Sequence, residues 1–118
     1  MRLSLPASPR YLAAARLVAT SLGAESGLSV DDLDDLRLGV NELVSLLVDA
    51  GGAGSRVDLE FEVEDGTITV RGALIGAIAG EVDADELTLR IVSAVVDDHH
   101  IDGSSFSLTK ASTLRDQP

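Results

Sequence analysis

The sequence predicts an α+β fold, a two-layer α/β sandwich whose helices cover one face of a mixed or antiparallel sheet. Three observations predict it. Apolar residues return every three or four positions in three segments, they alternate with polar residues on either side of two Asp-Gly pairs, and those polar alternates leave one sheet face hydrophilic. A sheet with one polar face carries its helices on the other face only.

The predicted order is strand, helix, helix, two strands, helix, two strands. In the first helix Tyr11, Ala15, Val18 and Leu22 share a face after Pro9, and Gly23 reads as the stop. Ser29, followed by Asp31 and Asp32, opens the second. Its hydroxyl can accept from the free N–H groups of the first turn, and the two acids complement the positive end of the helix dipole. Leu33, Leu36, Val40, Leu43 and Leu47 make the apolar stripe of this helix, and Gly51 and Gly52 end it.

Val57, Leu59, Phe61 and Val63 then alternate with Asp58, Glu60, Glu62 and Glu64, so one strand face is apolar and the other acidic. Asp65-Gly66 is a tight-turn pair, and Thr67 to Val70 returns as the antiparallel partner. Gly72 to Gly80, with glycines four apart, reads as a loose connection too short to span a membrane. Asp83, Asp85 and Glu86 open a third helix carrying Leu87, Ile91 and Val95. A second hairpin runs from Val96 to Ile101, turns at Asp102-Gly103 and returns through Phe106 and Leu108. Without a repeat or composition break, residues 1–111 are expected to form one domain and residues 112–118 a frayed tail.

Composition narrows the function. With 118 residues, 45% of them hydrophobic, there is apolar material for a core. The absence of cysteine removes disulfides and thiolate metal sites, which suits a reducing cytoplasm. The opening residues 1–16 contain no long apolar run, so neither a leader nor a membrane anchor is expected. A net charge of −11 repels phosphate backbones, and one Tyr with two Phe offers little for base stacking, which argues against direct nucleic-acid binding. Basic protein partners are compatible with such a surface.

Four stretches carry a family resemblance in their order: RLSLPASPRYLAAARLVATSLG, DDLRLGVNELVSLLVDA, VDLEFEVEDGTITVRG and LRIVSAVVDDHHIDGSSFSLTK. Together they resemble the anti-sigma factor serine kinases, members of the GHKL or histidine kinase-like ATPase superfamily with its Bergerat-type fold. The resemblance implies a second helix carrying a Glu that prepares the attacking hydroxyl and, four residues on, an Asn that holds the magnesium bridging the ATP phosphates. Glu42 occupies the first position and Leu46 the second. A leucine has no lone pair for a hard cation that takes oxygen ligands.

Neighbouring polar residues do not restore the metal position. At about 100° per residue Asn41 points roughly 140° away from Leu46, while Asp49 lies roughly 20° from Glu42 but about two turns along the helix. The family's adenine-binding Asp-x-Gly-x-Gly run corresponds to Arg71-Gly72-Ala73-Leu74-Ile75-Gly76, which keeps Gly72 and Gly76 and lacks the acid. Gly76 to Glu86 leaves the ATP lid shortened. Gly103-Ser104-Ser105 resembles the closing phosphate contact. The remnant nucleotide site implied by the resemblance is therefore Gly72, Gly76, Gly103, Ser104 and Ser105 with Glu42, and Asp49 as the metal ligand only where ATP and Mg bind.

Each feature has a plainer explanation. Glu42 sits in a polar arc with Asp35, Ser45 and Asp49, as on any solvated helix face. His99 and His100 next to Asp97 and Asp98 suggest a metal, but adjacent strand residues point to opposite faces. Gly51 to Gly54 lacks the Lys-Ser/Thr ending of a phosphate loop and follows a helix. The acidic rows from Asp31 to Asp35 and from Glu60 to Glu64 read as solvated faces, and nothing places a nucleophile beside the histidines.

The resemblance thus implies a pseudokinase: a cytoplasmic, homodimeric anti-sigma-like regulator of transcription. It would bind a sigma factor and be released by a STAS-type anti-anti-sigma protein through partner switching, with no cofactor, nucleic acid or membrane. The alternative is an active ATP- and Mg-dependent serine kinase that phosphorylates the anti-anti-sigma partner. A third is an interaction module with neither sigma factor nor nucleotide.

Overall fold

Ser29 shows how the local chemistry builds the frame. Its hydroxyl accepts from Asp32 N–H at 3.1 Å and Asp32 Oδ2 accepts from Ser29 N–H at 3.2 Å, a reciprocal capping box that starts the longest helix. Replacing the cap, Ser29→Ala, is expected to cost about 1 kcal/mol, read as a lower urea midpoint at unchanged slope.

In the computed structural model, which describes residues 1–76 and 82–113, the elements are β1 (Arg2–Pro6), a 3-10 turn (Pro9–Tyr11), α1 (Leu12–Glu25), α2 (Val30–Ala50), β2 (Arg56–Glu64), β3 (Thr67–Ile75), α3 (Glu86–Val95), β4 (Asp98–Asp102) and β5 (Ser105–Ala111). The sheet order is β1-β2-β3-β5-β4, with every neighbouring pair antiparallel. The expected α+β sandwich is present, with its sheet antiparallel rather than mixed. Leu36, Val40, Leu43 and Leu47 of α2 are fully buried against Val57, Leu59 and Phe61 of β2, Ile68 and Val70 of β3, and Leu108 of β5. The alternate residues Asp58, Arg71, Ser107 and their neighbours form the uncovered face.

Four local expectations change. Gly23 is not the stop of α1, which continues to Glu25. It is buried where an added Cβ would lie 2.9 Å from both Leu33 Cδ2 and Leu36 Cδ2, so it lets α1 approach α2 closely. The reversal falls instead at Gly27, whose φ of 96° suits glycine. The segment from Gly72 onward is not loose before Ile75: β3 matches all nine residues of β2, pairing Ala73 with Asp58 and Ile75 with Arg56. In α3 the buried residue is Val92, while Ile91 and Val95 are half-buried and Leu87 is exposed; Val95 and Val96, at the end of the helix, lie beside Gly39 of α2. The turn of the second hairpin is Gly103-Ser104, one residue later than expected, since Asp102 already pairs with Ser105.

At the end of the chain, Ser112 and Thr113 do not fray. Ser112 is 4% exposed and Thr113 is hydrogen bonded to Asp32, whereas residues 114–118 lie outside the described part.

Candidate functional site

Helix α2 lies across the sheet and ends near the tips of two strands. An added Cβ on Gly51 would lie 3.0 Å from Ala7 Cβ and 3.1 Å from Leu74 Cδ1, which places the helix end beside the ends of β1 and β3. The β4–β5 turn reaches the same region. Leu74 N–H donates to Ser104 O and Val82 N–H to Gly103 O, both at 2.9 Å. The chain therefore leaves β3 and approaches α3 tied at both ends to one two-residue turn, with residues 77–81 between.

Of the residues expected at a nucleotide site, Gly103 and Ser104 form this turn and Gly76, with φ of 79°, follows β3 directly. Ser105 bonds within the turn, its hydroxyl donating to Asp102 O at 2.9 Å. Gly72 does not join them. It pairs with Leu59 on one side and Phe106 on the other, inside the sheet, and its missing side chain is what lets the Phe106 ring lie against the strand. Glu42 is half-buried and Asp49 is exposed, and among the described residues neither carboxylate has a hydrogen-bond or ion-pair partner. Leu46 packs against the hydrophobic core, as do Val82, Val95 and Ile101.

Two positions bear on ATP with magnesium. The position one turn after Glu42 presents partly buried hydrocarbon packed against the core, where a metal needs oxygen. From Arg71 to Gly76 there is no acid to accept from an adenine amino group. His99 is half-buried and His100 exposed on alternate faces of β4. Among the described residues no three His, Asp or Glu side chains gather as a metal site.

Two polar constellations escaped the sequence reading. Arg16 Nη1 donates to Asn41 Oδ1 at 2.6 Å, so Asn41 belongs to the α1–α2 seam, away from Leu46. Lys110, 6% exposed, points to the helix side of β5 and meets Asp32 Oδ1 at 4.0 Å and Asp35 Oδ2 at 3.5 Å. The signal for Lys110 was parity: Phe106, Leu108 and Lys110 occupy alternate positions of one strand. Burial pushes the Asp32 carboxyl up, but hydrogen bonds from Thr113 and Ser29 outweigh it and hold the group below its ordinary value of 3.8.

A cavity of about 660 Å³ opens on the other side of the sheet, over its uncovered face. It is lined by Arg2, Ser4, Asp58, Arg71, His100 and Ser107 among others, with no contribution from Glu42, Leu46 or Asp49.

A layer of helices on one face of an antiparallel five-stranded sheet is the architecture of a histidine kinase-like ATPase domain. The family model for that domain matches residues 5–107, and the chain belongs to this family. Among solved structures it is similar to the crystal structure of the RsbU and RsbW domains of Rv1364c from Mycobacterium tuberculosis, with a TM-score of 0.69 and 20% sequence identity. That match covers 94% of this chain and 32% of the other, so the likeness is one of fold and the chain spans about a third of that protein's length. No curated protein matches the sequence.

Proposed function

We propose that this domain is a non-catalytic member of its family, an anti-sigma-like regulator that acts by binding proteins in the cytoplasm. Its partners are a sigma factor and a STAS-type antagonist that releases it, and it works as a homodimer. Support for the class of partner comes from the family resemblance and from similarity of fold to the structure of the RsbU and RsbW domains of Rv1364c. No helix among the described residues is long and apolar enough to cross a membrane.

One observation carries the non-catalytic part: Leu46 stands where the family holds its magnesium ligand, and its side chain, partly buried, packs against the core. The loss is compounded at the end of β3, where no acid accepts from adenine. Titration calorimetry with ATP and Mg is expected to show no binding in the micromolar range. The single change Leu46→Asn is expected not to create it, since the adenine acceptor remains missing. Micromolar binding that Glu42→Ala or Asp49→Ala abolishes would establish the serine kinase instead. Retrieval of a sigma factor from cells with the tagged protein, reversed by adding the antagonist, tests the partners, and light scattering tests the dimer.

A further inference from the structure

Ser112 and Thr113, which follow β5, are hydrogen bonded to three separate places among the described residues. Ser112 N–H donates to Gly66 O in the β2–β3 turn at 2.7 Å, and its hydroxyl donates to Gly27 O in the α1–α2 turn at 3.3 Å. Thr113 donates both its N–H and its hydroxyl to Asp32 Oδ2 in the first turn of α2, each at 3.1 Å. We propose that Ser112 and Thr113 form a releasable strap over the α1–α2 turn, with Asp32 as its latch.

Release leaves the latch acid compensated, and the two carbonyls it uncovers, Gly66 O and Gly27 O, take water in place of Ser112. Asp32 Oδ2 retains Ser29 N–H at 3.2 Å and Oδ1 still faces Lys110 Nζ at 4.0 Å, so α2 stays capped and the acid stays compensated. The α1–α2 turn remains tied to the β2–β3 turn through Gly66 N–H and Ser26 O at 2.8 Å. An element with two satisfied arrangements can be shifted by a modest bias. The closed form is held by bonds to an ionised carboxylate, which are the stronger kind. It is opposed by any negative charge brought to Thr113, which would meet Asp32 and Asp35. Opening brings Ser26, Asp32 and Ser112, at 7%, 2% and 4% exposure, to solvent and leaves the α1–α2 turn with fewer ties to the sheet. The strap lies at the start of α2, so it stands independently of the nucleotide question at the other end.

Hydrogen exchange of the full chain, followed by mass spectrometry, tests it by comparing the wild type with Thr113→Pro, which can donate neither bond, and Thr113→Val, which loses only the hydroxyl. The expected result is exchange faster by about tenfold or more at the amides of Gly27 to Asp32 and at Gly66 in Thr113→Pro, with a smaller rise in Thr113→Val. Amides of Leu43 to Leu47 and of β3 should keep their wild-type rates. Unchanged exchange at the α1–α2 turn, or an equal rise throughout the sheet, would overturn the strap: the first shows no latch, the second shows a segment that opens only with the whole fold.

Discussion

Replacing Lys110 by alanine is expected to lower stability by about 3 kcal/mol, because it removes a buried ammonium and leaves the Asp32 carboxylate with hydrogen-bond donors but no opposite charge beside it. In a domain of this size that corresponds to a fall in Tm of about 10 °C or more. With Ser112 and Thr113 in place Asp32 is 2% exposed, and water does not reach it to replace the ammonium. The surface pair Arg90–Glu86 is the control. Its contact is shorter, 2.7 Å against 3.5 and 4.0 Å for Lys110, but both side chains are about three-quarters exposed. Arg90→Ala is therefore expected to cost about 0.5 kcal/mol or less, since screening and side-chain entropy cancel most of an exposed pair. Burial, not distance, ranks the two, and urea unfolding of both variants measures the ranking.

Asp32 adds a pH signature. Its folded carboxyl releases its proton more readily than in the unfolded chain, so the stability it contributes is fully present above the ordinary value of 3.8 and is lost as pH falls through the lower folded value. The stability difference between wild type and Asp32→Asn should accordingly shrink below about pH 4 and be constant above about pH 5. A gap that widened on acidification would mean that the carboxyl is held in its neutral form.

How much of this was legible in the sequence depends on which signal each residue gives. Ser29 and Asp32 announced their cap because capping is local chemistry, and the alternation from Val57 to Glu64 announced β2 because period two belongs to one strand alone. Leu46 was legible against the family pattern, as a residue type unable to serve a metal. Its place at the edge of the polar arc also allowed it to extend the core-facing side, and it does pack there, partly buried, although a border position turns inward or outward according to its neighbours. Lys110 was missed because a lysine in an apolar register acquires its meaning from Asp32 and Asp35, far away in the chain. β3 beyond Val70 was misread because glycines four apart look like a flexible run. The length of β2 held the correction: nine residues in one arm of a tight hairpin call for nine in the other.

That misreading bears on Gly72, for which the loop and the strand predict opposite outcomes. As a remnant of a nucleotide loop, Gly72 would tolerate a larger residue with stability intact. As a strand residue in contact with Phe106 it cannot. An added Cβ would overlap the Phe106 ring and lie 3.0 Å from Leu59 Cδ2, and β3 is held between β2 and β5 on both sides, so the backbone has no free edge along which to retreat. Gly72→Val is expected to cost about 3 kcal/mol, at the upper end for overpacking, with Gly72→Ala nearer 2. Shrinking the ring should relieve part of this. In a Phe106→Leu background the cost of Gly72→Ala should drop by about 1 kcal/mol, a coupling typical of side chains in direct contact. Equal costs with and without the ring would show that the strain lies in the strand backbone and not in the packing of Phe106. Cheap substitution in both backgrounds would return Gly72 to the loop reading and with it one of the glycines of a nucleotide site.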